Sequence, residues 1–362
     1  MLFFSVIFFA DWVLYTISAL SVLYLSIFAF ASIFTPKQSH LINIKSNRIL
    51  IIIPAYKEDR VIFDSVHSML RQNYPKQLFD ISVISDQMNP VTIEKLRTLD
   101  IQLFEVNYPN SSKAKALNYA FNNICNEYDI TVILDADNTV NENFLEEINN
   151  AYNIGFKAIQ AHRKAKNLNT ETAYLDAVSE EINNSIFRKG HVNIGLPAAL
   201  IGSGMAIDFK WLKTNIAKLE SAGEDKELEV LLLKDGLHIA YLENVPVYDE
   251  KTQQSKGFYN QRRRWIAAQI DILSKAIVDL PKAIINLNFG YADKLIQWML
   301  LPRLVLIGFI FIMSSLWTVF NVIYSVKWWI LLLSLIAVLA VAIPQYLLTK
   351  KFLIALKKIP LL

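Results

Sequence analysis

Three long apolar segments, one near the start of the chain and two near its end, constrain the fold more than any other feature of the sequence. Residues 12–34 form an almost uninterrupted apolar run. As a helix of about 23 residues it would be roughly 34 Å long, enough to cross a bilayer. Two similar runs occupy residues 304–323 and 328–348, and only residues 324–327 separate them, which predicts a tight helical hairpin. A soluble protein would need an unusually large core to bury three such helices, so the sequence predicts an integral membrane protein with three transmembrane helices.

The basic residues that flank these runs predict their orientation. The first run has no basic residue before it, is too long for a signal peptide and shows no small-residue cleavage site, so we expect a retained helix. Lysine and arginine concentrate on the cytoplasmic side of membrane helices. They follow both the first run and the third, as Lys37, Lys45, Arg48, Lys350, Lys351, Lys357 and Lys358. We therefore expect the N-terminus outside the cell, and both basic flanks in the cytoplasm, with the protein in the plasma (inner) membrane.

The polar middle of the chain is predicted to be a cytoplasmic domain. We expect an N-terminal transmembrane helix (1–35), a cytoplasmic domain (36–258), interfacial amphipathic helices (259–299), and a transmembrane hairpin with a short basic tail (300–362). The single cysteine, Cys125, cannot form an internal disulfide, which suits the cytoplasm. The net charge is only +3, and the basic residues are scattered or close to the membrane, so no nucleic-acid partner is expected.

Strands and helices are predicted to alternate in the first half of this domain. Apolar runs rich in β-branched residues predict four buried strands, at 49–56, 80–86, 101–106 and 129–135. Helical spacing of apolar residues predicts helices between them, at 59–72, 90–99 and 113–124, and a longer helix follows at 171–188. This alternation is typical of an α/β fold with a mostly parallel sheet. Ligands of such sheets bind beyond the carboxyl ends of the strands.

Asp135 and Asp137 lie at the end of the fourth predicted strand. Side chains two positions apart on a strand point to the same side, so the two carboxylates should repel unless a cation or hydrogen-bond donors neutralise them. In most D-x-D sequences the aspartates only cap loop backbone groups. Here, however, the chain has neither a G-x-G-x-x-G motif nor a P-loop to hold phosphate. A Mg²⁺ or Mn²⁺ ion held by the pair would serve instead.

Two segments further along the chain each admit two interpretations. Gly202, Ser203 and Gly204 form a small-residue turn, which is either an ordinary turn or a place where backbone approaches a ligand closely. Glu224 and Asp225 begin a predicted helix over 222–236 with Leu228, Leu231 and Leu232 on its buried face. They either compensate the helix dipole or place a carboxylate as a general base.

The segment QRRRW, residues 261–265, precedes the second apolar run and is predicted to lie on a helix. An interfacial helix attracted to anionic lipid headgroups explains it. Arginine also grips diphosphate in a bidentate manner, and tryptophan offers a flat face to a sugar ring. Both interpretations are compatible with one another.

Seven of these features occur in the order shown by membrane-bound family 2 glycosyltransferases, the group that contains cellulose, chitin and hyaluronan synthases and ceramide glucosyltransferases. They are IPAYKED, Asp86, KAKALNYAF, DADN, GSGMAI, GED and QRRRW. The resemblance covers about residues 49–270, with apolar helices on both sides as in those enzymes. It departs from the family pattern at Gly223, where threonine is usual, and at Ala114, where glycine is usual.

The resemblance implies a GT-A fold and inverting transfer of a sugar from a nucleotide diphosphate donor. It implies donor or nucleotide contacts by Pro54, Tyr56, Glu58, Asp86, Lys113, Lys115, Asp135 and Arg264. It implies that Asp137, with Asp135, holds Mg²⁺ or Mn²⁺, and that Asp225 is the catalytic base. The acceptor side would comprise Gly202, Ser203, Gly204, Glu224, Gln261 and Trp265.

The acceptor is where the sequence leaves alternatives open. The complete Q-x-x-R-W pattern favours a growing polysaccharide, with a UDP-sugar as donor. Having only three predicted spans favours a membrane lipid or lipid-linked glycan, because three helices make a poor channel for a polymer. A polymerase would then need a homo-oligomer or an export partner, with membrane lipids around it. A catalytically inactive nucleotide-sugar-binding subunit and a purely structural membrane protein are the remaining hypotheses.

Overall fold

The computed structural model describes residues 2–34, 45–219, 221 and 223–357. Of the basic flanking residues, Lys37 and Lys358 lie outside this part of the chain, as does Ala222 at the start of a predicted helix. Three described helices are long and apolar enough to cross a membrane, namely Val6–Ala31, Arg303–Phe320 and Val322–Val341. They belong to α1 (Leu2–Ala31), α13 (Arg303–Phe320) and α14 (Val322–Val341).

The connection between α13 and α14 is shorter than the sequence predicts. We expected a loop at residues 324–327, but Asn321 alone separates the two helices and its side chain accepts a hydrogen bond from the Ile323 backbone N–H at 3.1 Å. The predicted loop was wrong because Lys327, the charge that suggested it, has a partner inside the bundle. Its ammonium pairs with Asp11 of α1.

Asp11 is the centre of the contacts that join α1 to the hairpin. Its side chain is 2% exposed, and one of its oxygens accepts hydrogen bonds from the indole N–H groups of Trp317 at 2.6 Å and Trp328 at 2.9 Å. The Lys327 ammonium also lies 3.9 Å from the ring centre of Trp12. A buried charge requires partners of this kind, so Asp11, which immediately precedes the first apolar run, links three helices.

The domain between the apolar helices is built around an eight-stranded sheet in the order β3-β2-β1-β4-β7-β6-β8-β5. The strands are β1 (Ile49–Tyr56), β2 (Phe79–Asp86), β3 (Gln102–Val106), β4 (Ile130–Ile133), β5 (Thr139–Val140), β6 (Ala158–Ala165), β7 (Met205–Asp208) and β8 (Ile239–Asp249). The first four confirm the predicted strands and pair in parallel. β7 runs antiparallel between β4 and β6, and β8 is parallel to β6. The carboxyl ends of β4 and β8 therefore reach the same edge of the sheet.

Helices cover both faces of the sheet because its central strands are apolar on both sides. Along β1, Leu50 and Ile52 face one core, with α4 and α9, while Ile49, Ile51 and Ile53 face the other, with α2 and α5. The helices of the domain are α2 (Ile62–Leu70), α3 (Pro90–Leu96), α4 (Lys113–Asn123), α5 (Phe144–Ile154), α6 (Glu171–Asn184), α7 (His191–Asn193), α8 (Phe209–Asn215) and α9 (Glu224–Lys234). The predicted helix over 171–188 is α6, which continues as the π-helix Ser185–Gly190.

Helices α10 (Ser255–Ala276), α11 (Leu280–Ile285) and α12 (Phe289–Met299) lead from the domain to α13. One side of this segment packs on the sheet domain through Ile272 and Leu295, which are buried. Other apolar side chains of the segment remain exposed, among them Ile270, Val278, Ile284, Ile285, Leu287 and Phe289. Exposed apolar residues next to a candidate membrane helix fit the predicted interfacial position.

The ends of the apolar helices dock on the same part of the domain. The His191 ring stacks on Phe28 near the end of α1, with 3.6 Å between ring centres. After α14 the chain returns to α6, where the Tyr174 hydroxyl donates to the Leu347 carbonyl at 2.6 Å, and α15 (Lys350–Leu356) follows. The last turns of α1 and α14 thus lie on the domain side, and the Asn321 turn lies at the far end of the bundle.

Candidate functional site

A short loop after β4 positions the two aspartates of the D-x-D segment. The backbone N–H of Asp135 donates to the Ser203 hydroxyl at 2.9 Å, and that hydroxyl donates to the side chain of Asn138. Asn138 and Ser203 are both fully buried. The Gly202–Gly204 turn, which immediately precedes the neighbouring strand β7, therefore holds this loop in place. The side chains of Asp135 and Asp137 remain only partly buried.

A third carboxylate, which the sequence did not predict, completes this cluster. Oxygens of Asp135, Asp137 and Asp249 all lie within 4.8 Å of one another, and Asp249 ends strand β8. The Asn138 amide bridges two of them, donating to Asp137 at 2.9 Å and to Asp249 at 3.3 Å. Burial, and then the neighbouring carboxylates of Asp249 and Asp135, raise the pKa of Asp137 to about 7.

This cluster has the chemistry of a divalent-cation site. Carboxylate oxygens are the ligands that Mg²⁺ and Mn²⁺ prefer, and a cation would relieve the repulsion that raises the pKa of Asp137. One oxygen of Asp249 is already paired with the Lys251 ammonium at 2.7 Å, and its other oxygen faces the Asn138 amide. Asp135, Asp137 and the Asp249 oxygen that is not paired with Lys251 therefore fit a bound metal ion.

Lys113 reaches this cluster from the first turn of α4. Its ammonium lies 2.5 Å from an oxygen of Asp135 and 2.6 Å from the Gly202 carbonyl. Burial would lower the pKa of Lys113, but Asp135 and then Glu224 outweigh it, so the pKa is raised. Lys115, the other member of the predicted basic pair, points elsewhere and donates to the Asn110 carbonyl at 2.7 Å.

Asp86 and the end of β1 form a second polar group at this edge of the sheet. Asp86 is 2% exposed, and one of its oxygens accepts from the Tyr108 backbone N–H at 3.2 Å. Within the described ranges its other oxygen has no hydrogen-bond partner, as expected of a group that awaits a ligand donor. Pro54 lies beside Ile84 of the adjacent strand.

The residues that follow Pro54 are open to solvent. Tyr56 is 46% exposed and its ring lies under the Lys57 ammonium, 4.9 Å from the ring centre. Glu58 is exposed as well, and its partial burial and the charge of Asp135 raise its pKa.

Asp225 and Glu224 face the same space from the start of α9. A Cβ atom added to Gly202 would lie 3.6 Å from the Asp225 Cβ and 3.8 Å from one of its oxygens, so the Asp225 side chain lies against the turn that holds Asp135. Burial raises the pKa of Glu224 to about 7, with Lys113 opposing the rise. Of the predicted buried leucines of α9, Leu228 and Leu232 are buried, whereas Leu231 is only partly so.

The QRRRW residues lie in the first half of α10. The Gln261 amide oxygen accepts from the Thr252 hydroxyl at 3.3 Å. Arg264 is exposed and forms no hydrogen bond or ion pair with the described residues, and Trp265 is 36% exposed. Arg262, which follows Gln261 and was not predicted as a site residue, instead anchors the helix by donating a hydrogen bond to Asp176 at 2.9 Å. Arg264 and Trp265 thus remain available to a ligand.

A model of the family described as Glycosyltransferase like family 2 matches residues 47–268. The chain belongs to this family. The match spans the sheet domain and the QRRRW segment, as the sequence motifs predict.

Two known proteins, one compared by sequence and one by structure, are similar to this family 2 protein. The curated relative "Probable glycosyltransferase YdaM" of Bacillus subtilis (strain 168) is 25% identical over 256 residues, which cover 65% of this chain and 58% of that protein. The chain thus matches less than two thirds of that relative's length. The solved mannosyltransferase PcManGT from Pyrobaculum calidifontis, in complex with GDP-Man and Mn²⁺, has a TM-score of 0.59 and 16% identity, covering 91% of this chain and 97% of that one. This likeness and the mixed, mostly parallel sheet show a GT-A fold.

Within this glycosyltransferase-like domain, tertiary structure adds residues that motif spacing does not identify. The sequence motifs did not predict Asp249. The rule that predicted Asp135 applies to it as well, since Asp249 also ends a strand whose carboxyl end lies at the ligand-binding edge of the sheet. Recognising it required knowing that β8 runs in the direction of β4, which depends on the antiparallel β7 between them. Ser203, predicted to contact an acceptor, is buried and holds the Asp135 loop.

Proposed function

We propose that the chain is a metal-dependent, inverting glycosyltransferase that moves a sugar from a nucleotide diphosphate donor, a UDP-sugar, to an acceptor at the membrane. The proposal rests on one observation, which is that three parts of the site lie close together. They are the carboxylate cluster of Asp135, Asp137 and Asp249, the Lys113 ammonium that contacts Asp135, and the Asp225 side chain that lies against the Gly202 turn. Family membership and the GT-A fold support it.

The donor would occupy the edge of the sheet between β2 and β4. Asp86, with its unpaired buried oxygen, is suited to accept a hydrogen bond from a base N–H, and Tyr56 and Pro54 border that position. Lys113 and Arg264 provide cationic donors for diphosphate oxygens. Lys115, whose ammonium is directed at Asn110, would act only after a change of rotamer.

Asp135, Asp137 and Asp249 would hold Mg²⁺ or Mn²⁺. When bound, the cation would neutralise charge that develops on the departing diphosphate. The GDP-Man and Mn²⁺ bound by the mannosyltransferase PcManGT support this assignment.

Asp225 would act as the general base. Its carboxylate takes the proton of the acceptor hydroxyl while the hydroxyl oxygen forms a bond to the anomeric carbon. The bond from that carbon to the diphosphate oxygen breaks, and its electron pair leaves with the nucleoside diphosphate. One displacement on the face opposite the leaving group inverts the anomeric configuration.

The acceptor is proposed to be a growing polysaccharide, since Gln261, Arg264 and Trp265 complete the Q-x-x-R-W pattern. Trp265 and Arg264 are exposed at the start of the interfacial segment, where a sugar chain would meet the site. The alternative acceptor is a membrane lipid or lipid-linked glycan. It is favoured by the exposed apolar side chains of α10–α12 and by the three candidate spans of the described chain.

We further propose the topology and regions expected from the sequence. The N-terminus would lie outside, residues 36–258 would form the catalytic domain in the cytoplasm, 259–299 would lie at the interface and 300–362 would form the hairpin and tail. Docking of the last turns of α1 and α14 on the same domain supports placing both basic flanks on one side.

The deciding experiment is a screen of UDP-glucose, UDP-N-acetylglucosamine and GDP-mannose against the protein purified in native lipid, with mass analysis of the products. We expect nucleoside diphosphate release that requires Mg²⁺ or Mn²⁺. A product that partitions into organic solvent would identify a lipid acceptor, and a water-soluble polymer would identify a polysaccharide. Asp225→Asn should keep donor binding and lose transfer, whereas the control Asp235→Asn, at the other end of α9, should keep both. Wild-type protein that binds none of the donors would refute the proposal.

A further inference from the structure

A row of alternating charges connects Asp225 with helix α12, which precedes the membrane hairpin. The Lys226 ammonium lies 3.5 Å from an oxygen of Asp225 and 3.8 Å from an oxygen of Glu229. On the other side, the Lys294 ammonium of α12 lies 2.9 Å from the second oxygen of Glu229. Four charges on two helices thus alternate in sign from the proposed base to the membrane-proximal segment.

The inner half of this row is fully enclosed. The side chain of Glu229 is 0% exposed and that of Lys294 is 1% exposed, while those of Asp225 and Lys226 are 23% and 22% exposed. A buried charge without a partner is strongly unfavourable, so Glu229 and Lys294 require one another. Lys294 pairs with one oxygen of Glu229, and the other oxygen has no hydrogen-bond partner among the described residues. Lys226 therefore lies between this other oxygen and Asp225 and is slightly closer to Asp225.

The same row holds the turn that carries the Asp135 contacts. Glu229 accepts a hydrogen bond from the Leu200 backbone N–H at 3.0 Å, and Lys226 donates to the Leu200 carbonyl at 3.1 Å. Two residues later, the Gly202 carbonyl accepts from Lys113, the partner of Asp135. Helix α9 and the turn are therefore joined on both sides of Leu200, which sets where Asp225 stands relative to the carboxylate cluster.

We propose that Lys226, Glu229 and Lys294 are positioning residues for the base Asp225, and that Lys294 determines with which carboxylate Lys226 pairs. The inference rests on the proposed function of Asp225. Removing the Lys294 charge leaves Glu229 buried with Lys226 as its nearest cation. Lys226 then moves toward Glu229, and Asp225 loses the ammonium beside it. A carboxylate without a neighbouring cation takes up a proton more readily, so transfer then requires a higher pH.

Other charged groups face the row from the elements packed around it. They are Lys113 of α4, Arg188 of the π-helix, Glu224 of α9 and Asp293 of α12. Burial lowers the pKa of Lys294 despite Glu229. For Lys226, burial acts downward but Asp225 and Glu229 outweigh it and raise its pKa. Lys226 is therefore the cation held between two carboxylates, as the proposal requires.

The test is the pH dependence of turnover in native lipid, with whichever of UDP-glucose, UDP-N-acetylglucosamine and GDP-mannose the wild type uses best. In Lys294→Met we expect the acidic limb of the pH–rate profile to move to higher pH, so that kcat falls severalfold more at the acidic end of the profile than at pH 8. The affinity for UDP with Mn²⁺ should stay within about twofold, since Glu229 keeps its hydrogen bond to the Leu200 N–H and the Gly202 turn keeps its contact with Lys113. The matched control is Lys234→Met, which removes an ion-paired lysine from the same helix and should leave the profile unchanged.

A double variant separates this mechanism from a general loss of structure. Glu229→Gln with Lys294→Met removes both enclosed charges and keeps an amide oxygen for the Leu200 N–H. Lys226 then returns to Asp225, and the acidic limb should move back toward that of the wild type. In Lys226→Gln the acidic limb should move to higher pH, and adding Glu229→Gln with Lys294→Met should not restore it. Lys226→Arg should retain the wild-type profile.

The outcomes distinguish this inference from the proposed function. If Asp225→Asn abolishes transfer but Lys294→Met leaves the profile unchanged, the positioning role is refuted and the base remains. Should Lys294→Met fail to fold, an unshifted limb in Lys226→Gln refutes it equally. If Asp225 proves not to be the base, or if no donor is turned over, the coupling between Asp225 and Lys294 can still be tested through stability. The Tm values of Asp225→Asn, Lys294→Met and the double variant are then compared. Non-additive changes in Tm support the row, and additive changes overturn it.

Discussion

The carboxylates of Asp137 and Asp249 lie within 4.8 Å of each other at the same edge of the sheet, one after β4 and the other at the end of β8. The Asn138 amide donates a hydrogen bond to both. Their proximity raises the pKa of Asp137, after burial itself. A site that brings negative charges this close together is suited to bind a cation. Four predictions concern this site, and two more concern the apolar helices and their orientation.

Removal of either carboxylate should weaken metal-dependent donor binding. We expect Asp137→Ala to weaken UDP binding in Mn²⁺ by about 100-fold, because it removes a central ligand, and Asp249→Asn by about tenfold. Isothermal titration of UDP with and without Mn²⁺ measures both. Asp64→Asn, a surface carboxylate paired with Lys166, is the control. Metal-independent UDP binding in the wild type would contradict the metal assignment.

Metal binding should strengthen as the pH rises through about 7, the pKa to which burial and Asp249 raise Asp137. A metal ligand must be deprotonated, so below this pH each unit should weaken Mn²⁺ binding by up to tenfold. In Asp249→Asn a like charge is gone, and the pH dependence should shift to lower pH. Titration of Mn²⁺ at pH 5.5 to 8.5 checks this, and a flat profile would show that Asp137 does not titrate there.

The same pKa has a consequence for stability without metal. The folded pKa of Asp137 lies above the usual carboxylate value, so the contribution of its protonated form is fully present below about pH 4 and is lost as the pH rises through about 7. Mn²⁺ should reverse that loss. We expect the gain in Tm on adding Mn²⁺ to be larger at pH 8 than at pH 6. Equal gains at the two pH values would contradict the assignment.

Lys113 should matter for the donor. Its ammonium bridges Asp135 and the Gly202 carbonyl, and Lys113→Met would leave the Asp135 charge without that partner and the diphosphate without a donor. We expect UDP affinity to fall by about tenfold or more. Lys115→Met, whose ammonium contacts Asn110 instead, should have a smaller effect. Equal losses in the two variants would show that the lysines act together after a rotamer change.

The Asp11–Lys327 pair should hold the helical bundle together. Among the described residues, Lys327→Met leaves Asp11, 2% exposed, with only the two indole donors, and we expect a loss of about 3 kcal/mol in stability. Asp11→Asn combined with Lys327→Met should be less damaging than Lys327→Met alone. Thermal unfolding in native lipid measures the difference, with Lys351→Met as a control on an exposed lysine. A more damaging double variant would refute the pairing.

A reporter fused after Leu362 tests the orientation. We expect a cytoplasmic signal, because basic residues follow the third span and because the chain after α14 returns to the domain, where Tyr174 binds the Leu347 carbonyl. A second fusion before Met1 should report the opposite side. A signal from outside the cell for the fusion after Leu362 would contradict the proposed topology.

Much of the architecture was readable from local pattern. The four strands from Ile49 to Ile133 were predicted to within a few residues, because continuous β-branched runs have few alternatives to a buried parallel strand. The three apolar spans were recognised from length and composition. The hairpin turn was misplaced because Lys327 looks like a loop residue until its partner Asp11, at the other end of the chain, is known.

The sequence by itself determined the α/β class of the domain, the apolar helices and the family, and it marked Asp135, Asp137 and Asp225 as candidate site residues, because strand patterns and motifs are properties of neighbouring residues. Only the tertiary structure decided that Asp249 joins the carboxylate cluster, that Ser203 holds a loop, and that Lys294 reaches toward the proposed base through Glu229. The physical reason is that charges act across short distances in space. Which distant residues become neighbours depends on strand direction and helix packing, and no local pattern in the chain encodes these.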